Sequence, residues 1–518
     1  MRALILSAIL PVAHVLHAQT PPSLVWQGCY GGSATESARQ YIVLPDGEKL
    51  LVGYTNSNDG DVAGFNGGSY DIWVVRLDDA NGIIWQRCLG GSDTDVPGTA
   101  IVLPNGDFII VGTTRSNNGQ VSGNHGSNDG WAVRITGTGS LVWQHCFGGT
   151  NGDGFYDAMA LPNGDIIAVG TSKSVDGDVA ANQGGEDAWA VRFTNQGELV
   201  WSRTYGSSAF DLFYSIDQLA GGDLIALGYA SANNGDVTGN HGVEDFWAAS
   251  IDLDGNTAWQ RCYGGSAYEI GTKATALADG GAALLGYTES NDGDVAGQHG
   301  NGDAWVVRIN AVGEPMWQRP LGGSALDALS GLRALPGDGM LLCGRTYSSD
   351  GDVDGIPVSG DCWVLQLFSD GSMAWQVLLG GSNSDFGIDI RPTSDGSLIL
   401  LGTTSSTDFD VSGNHGGADL WMVRLSPFSS TSDISPPSTL LAFPNPAGEF
   451  IHLQLPGDWH GPLHFAFFTT DGALAHSGQV SATGGPMAVD VSSLSAGCYG
   501  LIVQVPRGIA HGKVTIAR

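Results

Sequence analysis

At 518 residues, with 53 acidic and 21 basic side chains, the chain carries a formal charge of −32. A field of that sign repels phosphate backbones and anionic lipid heads, which argues against nucleic acid and acidic membrane as partners and favours cations or a basic protein. Gly contributes 79 residues without a Gly-X-Y period and Trp contributes 15, which excludes a collagen-like chain and points to many turns around packed aromatic rings.

The first residues, MRALILSAILPVAHVLHAQT, place one Arg before an apolar run that ends at Ala18. This is the pattern of an export signal over residues 1–18, cleaved before Gln19. No later stretch has eighteen consecutive apolar residues, so no transmembrane segment is expected in the mature chain.

Two tryptophan series follow. Trp26, Trp85, Trp143, Trp201, Trp259, Trp317 and Trp375 form one, and Trp73, Trp131, Trp189, Trp247, Trp305, Trp363 and Trp421 form the other. Apart from a single step of 59, each series advances by 58 residues. In the second copy the repeat reads as four short strands, TAIVLPNG, DFIIVGTT, DGWAVRIT and LVWQHCFGG, with no sustained helical stripe. Short Gly-containing turns join the first to the second and the third to the fourth, so these pairs are antiparallel. A four-stranded sheet of this size cannot cover its own apolar faces, and repeated copies must stack.

The expected fold is therefore all-β, a seven-bladed β-propeller of 58-residue repeats over residues 24–425. The lone leading strand around Trp26 and the last copy, which lacks its fourth strand, add up to one blade. Closure of the ring by the N-terminal strand follows. The tryptophans are expected to pack between neighbouring sheets.

The long loop between the second and third strands and the GGSxxD crossing between blades share one face, which is acidic in register. Asp71, Asp129, Asp187, Asp245, Asp303, Asp361 and Asp419 stand two residues before the second Trp. Glu36, Asp95, Asp153, Asp211, Glu269, Asp327 and Asp385 stand ten residues after the first. Within the loop, Asp59 and Asp61 recur as Asp176 and Asp178, Asp292 and Asp294, Asp350 and Asp352, and Asp408 and Asp410; Asn118 and Gln120 replace them in the second copy, and Asn234 and Asp236 stand in the fourth.

Two roles compete for these carboxylates. They can cap tight turns by accepting backbone N–H groups, or the oxygen-rich loops can bind Ca2+. The candidate metal set is Asp59, Asp61 and Asp71 with their counterparts Asp176, Asp178, Asp187, Asp292, Asp294, Asp303, Asp350, Asp352, Asp361, Asp408, Asp410 and Asp419. The spacing does not match an EF-hand loop. His125, His241, His299 and His415 fall on four separate copies, too dispersed for one transition-metal site, and read as local turn partners.

No Ser, Cys or Lys stands in a recognisable nucleophile setting. Cys343 and Cys362 lie on adjacent strands of one copy, close enough in the chain's pairing to form a disulfide, while the odd count of seven leaves at least one thiol outside any internal pair.

After Leu425 the repeat stops. Residues 426–440, rich in Ser and Pro, read as a linker, and residues 441–518 as a separate small β-sandwich.

The FPNPAGE opening at Phe443 to Glu449, the DVSSLSAGCYGLIV block at Asp490 to Val503 and the final GKVTIAR at Gly512 to Arg518 resemble the type A C-terminal sorting domain of cargo of the type IX secretion system of Bacteroidetes-like bacteria. Pro444, Asn445 and Pro446 match the family's PNP core, and Gly497, Tyr499 and Gly512 its later marks; Arg518 stands where many members have Lys. The resemblance implies recognition by the outer-membrane translocon, removal of the domain, and release or attachment to surface lipopolysaccharide.

The body is similar to a set of bacterial β-propeller repeats with the pattern GGSxxD, GxTxSxDGDVxG, DxWVVKLD and GNIxWQ. Arg76, Arg134, Arg192, Arg308 and Arg424 occupy its Lys position, which Ser250 and Gln366 leave uncharged. That family brings no catalytic residues to transfer. Two functions follow as expectations: an exported or cell-surface, non-enzymatic propeller for binding, adhesion or scaffolding, with an extracellular protein or polysaccharide as partner, or an extracellular polymer hydrolase using acidic loop residues.

Overall fold

The computed structural model describes residues 21–44, 46–427, 441–443, 445, 447–454, 460–469, 474–483, 487–505 and 508–517. The expected export signal, most of the linker, and Pro444 and Pro446 lie outside the described residues. The chain divides into two compact units at residue 428.

The first unit is a closed ring of seven four-stranded antiparallel sheets. After the leading strand β1 (Leu24–Tyr30), the first blade is β2 (Glu36–Val43), β3 (Lys49–Thr55), β4 (Asp71–Leu77) and β5 (Ile83–Leu89), and five blades repeat it. The seventh blade has the strands Asp385–Pro392, Leu398–Thr404 and Asp419–Leu425, and β1 completes it. In that pairing Cys29 faces Trp421, as Cys88 faces Trp73 in the first blade. Even the side-chain contact is reproduced: Trp421 Nε1 donates to Gln27 Oε1 at 3.0 Å, as Trp73 Nε1 does to Gln86 Oε1 at 2.9 Å.

The two tryptophan series divide the packing. Trp73 and its six counterparts are fully buried between blades, where each large ring removes roughly 150–250 Å² from water. Trp85 and its counterparts are half-buried on the outer strands, except Trp375, which is buried. The indole N–H groups of Trp85, Trp143, Trp201 and Trp317 reach across the blade boundary, whereas Trp375 donates to Gln366 of its own blade at 2.7 Å. Trp85 donates to the Gly137 carbonyl of the next blade at 3.1 Å, and Arg76 donates to the same oxygen at 2.6 Å. Trp143 and Arg134 repeat this on Asn195, and Trp201 and Arg192 on Leu253. The repeated basic position is thus a latch between blades.

The first two strands of every blade carry a β-bulge at the same place. In the first blade the register shifts between Ala38 and Gln40, leaving Arg39 as the extra residue. The bulge is possible because the facing residue is always glycine. A Cβ on Gly53, Gly170 or Gly228 would lie 2.3, 1.9 or 1.9 Å from a carbonyl oxygen of the bulged strand.

Cys343 pairs in register with Val364, and Cys362 with Arg345. Both thiols are free and buried, so the pairing that the sequence left open to them is not made: adjacent strands offset these two positions instead of placing them opposite each other.

The second unit is a small sandwich. One sheet has the strands Leu441–Phe443, Phe450–Gln454 and Met487–Asp490, and the other has Leu474–Thr483, His460–Phe468, Gly497–Val505 and Gly508–Ile516. Ile451, Phe467, Val489, Leu501 and Val514 belong to its shared core. Asn445 accepts the Thr515 N–H at 2.8 Å, and the buried Tyr499 donates its hydroxyl to the Ser495 carbonyl at 2.9 Å. Gly512 faces Leu501 across the last strand pair. No helix among the described residues is long and apolar enough to cross a membrane.

Candidate functional site: the loop carboxylates and the axial channel

On the loop face, three carboxylate registers have distinct surroundings. Asp59 accepts both the backbone N–H and the hydroxyl of Ser33, at 2.7 and 2.6 Å. Asp176, Asp292, Asp350 and Asp408 hold Thr150, Ser266, Ser324 and Ser382 in the same way through the backbone N–H. Asn118 and Asn234 make the equivalent bonds to Ser92 and Ser208, each at 2.8 Å. An uncharged amide oxygen therefore does the same work, so this register uses an acceptor and has no need of charge.

Asp61, Asp178, Asp294 and Asp410 each accept the N–H of a crossing glycine at 3.3 Å, and Gln120 does so at 3.0 Å. Asp352 instead pairs with Arg319 at 3.0 Å.

The third register is buried. One oxygen of Asp71 accepts the backbone and side-chain N–H groups of Asn66 at 2.7 and 2.8 Å. Asp187 holds the Gln183 N–H, and Asp361 the Val358 N–H at 3.3 Å. In four blades a histidine takes the place of Asn66: His125, His241, His299 and His415 lie 2.6–2.7 Å from Asp129, Asp245, Asp303 and Asp419. The other oxygen of Asp71, Asp129, Asp187, Asp245, Asp303 and Asp419 is buried with no hydrogen-bond partner among the described residues.

Beside this register stands the ring of acids that opens each first strand. A point at the Cβ position of Gly90 would lie 2.4 Å from Asp95 Oδ2 and 2.8 Å from Asp71 Oδ1. The first glycine of GGSxxD is thus the spacer between two buried carboxylates. Burial pushes the carboxyls of Asp71, Asp129 and Asp187 up to about 6, against the pull of their N–H partners, and it raises Asp245, Asp303, Asp361 and Asp419 as well. Among the described residues no three His, Cys, Asp or Glu side chains are grouped to hold a metal ion.

The axial channel is where the seven-fold pattern breaks. The bulges place Arg39, Gly98, Tyr156, Tyr214, Thr272, Ser330 and Ile388 as the extra residues of the seven innermost strands. All seven line a cavity of about 550 Å³, except that Ile388 is joined there by Phe386 and Asp389 from its own blade. A bulge re-aims a side chain at just such a position.

Opposite walls differ in chemistry. Arg333 of the sixth blade and Arg391 of the seventh both pair with the buried Asp389, at 3.1 Å each. Burial pushes the Asp389 carboxyl up, but the two guanidiniums outweigh it and hold the group below its ordinary value. Arg39 makes no ion pair or hydrogen bond among the described residues and lies 5.7 Å from the Tyr54 ring. The far wall carries Tyr156 and Tyr214, with ring centroids 5.0 Å apart. Burial pushes the Tyr156 phenol up to about 12, with the charge of Arg39 pulling against it. Between the walls, Lys273 pairs with Asp157 at 2.8 Å. Three cations, Arg39, Lys273 and Arg333, thus line the cavity with two carboxylates, Asp157 and Asp389.

None of these channel residues is among the candidates chosen from acid repetition. The signal for them is the opposite one: thirteen and fourteen residues after each first Trp, no residue is common to the seven copies, and only Tyr156 with Tyr214 and Asp157 with Asp389 coincide.

No protein-family model matches the chain, and no curated protein sequence does. Among solved structures it is similar to a puromycin hydrolase at TM-score 0.42 and 11% identity, over 88% of this chain and 61% of that one. It thus spans about three fifths of that protein's length. A PQQ-bound aldose sugar dehydrogenase from Streptomyces coelicolor matches at TM-score 0.33 and 13% identity, over 78% of this chain and 99% of that one. A DUF4221-family member from Bacteroides vulgatus matches at TM-score 0.33 and 10% identity, over 79% and 98%. None of these likenesses bears on activity.

Proposed function

We propose that the chain is an exported or cell-surface propeller that binds an extracellular protein or polysaccharide without cleaving it, with the axial channel as its ligand seat. The observation that carries this reading is the contrast between a repeated scaffold and the varied residues, from Arg39 and Gly98 to Tyr156, Thr272 and Ile388, that line one cavity. Preformed concave sites with a few polar groups are the usual seat of small ligands. A glycosidase would need a carboxyl poised as acid and a second as base or nucleophile. The channel's Asp157 and Asp389 are instead ion-paired, and the loop carboxylates are largely occupied by N–H groups. Incubation with acidic and neutral polysaccharides is expected to release no new reducing ends; turnover abolished by Asp157→Asn or Asp389→Asn would favour the hydrolase reading instead.

Delivery by the C-terminal unit through the type IX translocon is part of the same proposal, supported by the FPNPAGE, AGCYG and GKVTIAR motifs. A chain ending at residue 427, expressed in a bacterium with that export route, is expected to fold and stay in the periplasm. Its normal arrival at the surface would refute the sorting role.

Calcium on the loop face is a separate proposal, supported by the recurrence of the Asp59 and Asp61 pair in five of the seven loops. Binding to the folded chain would raise its melting temperature on adding Ca2+ and lower it on chelation. An unchanged melting temperature would leave these groups as turn caps alone.

A further inference from the structure

We infer that the axial channel takes a sugar bearing a carboxylate, with the anionic group at the Arg39 and Arg333 wall and the ring face on Tyr156 and Tyr214. This rests on the reading of the channel as a ligand seat and adds the class of ligand.

Charge is the first argument. The chain has 21 basic residues against 53 acidic ones, yet Arg39, Lys273 and Arg333 line this one cavity with only Asp157 and Asp389 as acids, and Arg391 pairs with Asp389 beside it. Lys273 is matched by Asp157. Two guanidiniums share the single carboxylate of Asp389, and Arg39 has no acid at all among its described contacts. The lining therefore carries one net positive charge, with Arg391 a further cation bound to Asp389, and an anion in the partly desolvated lumen is attracted more strongly than at an open surface. Guanidinium groups also offer paired N–H donors that match a carboxylate.

The second argument is the opposite wall. Tyr156 and Tyr214 form a tilted aromatic pair 5.0 Å apart, and Tyr214 continues to Tyr229 at 6.3 Å. Both Glu186 and Glu244 act electrostatically on these phenols. Negative charge at that side disfavours an anion there but accepts hydroxyl donors. A ligand with a carboxylate at one end, an apolar ring face and hydroxyls at the other satisfies all three surroundings. A cavity of about 550 Å³ lies within the range of small-ligand sites, roughly 300–1,000 Å³.

The third argument is geometric. Arg39, Tyr156 and Tyr214 are each placed by a bulge, and Arg333 by its in-register pairing with Leu341, on strands fixed in a closed ring. The site is consequently preorganised, and binding requires little reordering.

The test is titration calorimetry on the chain lacking residues 1–18 with D-galacturonate and, separately, D-galactose. Galacturonate is expected to bind at least about tenfold more tightly than galactose, with the gap closing as salt rises. Arg39→Ala, an exposed side chain that makes no described hydrogen bond, is expected to remove most of that gap while leaving the melting temperature unchanged. Tyr156→Ala should weaken both sugars. Equal binding of the two sugars, insensitive to Arg39→Ala but lost in Tyr156→Ala, would overturn the acidic ligand and keep the channel as a seat. Absence of saturable binding of either sugar and of inorganic sulfate at millimolar concentration would overturn both.

Discussion

Asp71 keeps one oxygen on Asn66 and buries the other without a donor, a state that favours the neutral acid. Its carboxyl, like those of Asp129 and Asp187, is pushed up to about 6 by burial. The folded chain therefore binds protons that the unfolded chain does not bind until the ordinary aspartate range near 4. The stability these groups contribute is complete below that range and is lost as pH rises through about 6. The urea midpoint measured in high salt, which screens the net charge, is expected to fall between pH 5 and pH 8. Asp71→Asn, neutral at every pH, should flatten its share of that slope, worth roughly 1 kcal/mol after allowance for screening. A midpoint independent of pH would mean that the orphan oxygens stay ionised. The sequence made the register of these acids plain. It could not show which of each pair's oxygens is left alone, since that depends on whether a neighbouring loop reaches it.

At the scale of the element, the bulge between the first two strands is the feature that pattern reading cannot supply. Alternation of apolar residues places the strands, but one extra residue in a strand changes no period that short segments reveal. Its trace is the glycine that faces it. Gly170 has space for no Cβ, since the Gly154 carbonyl oxygen would be 1.9 Å away. Gly170→Ala is expected to destabilise the chain by about 1–3 kcal/mol through overpacking and to shift Tyr156, the residue its bulge presents. Thermal unfolding checks the first effect and loss of sugar binding the second. Wild-type stability would show that the bulge can move aside freely.

For the whole molecule, the tryptophan arithmetic and the two incomplete ends made closure legible from sequence alone, because a ring leaves no unpaired copy. The closing strand bonds to the seventh blade along its length, from Leu24 opposite Leu425 to Tyr30 opposite Leu420. Removing residues through Tyr30 exposes that edge and the Trp421 face at once. The loss is expected to reach several kcal/mol, since each large apolar side chain contributes about 1.5–3 kcal/mol on burial; an unaltered, monomeric melting transition would contradict closure. The bulged residues have a different place in this economy of contacts. Apart from Ser330, whose hydroxyl donates to the Gly387 carbonyl of the next blade at 2.9 Å, and Gly98, where a Cβ would lie 2.6 Å from the Tyr156 carbonyl oxygen, they stand outside the bonds between blades, so a change at one of them alters the lumen while the frame keeps its bonds. The ring behaves as a lock in which most of the pins can be recut without touching the case, and chains with the same frame are free to diverge in what they admit.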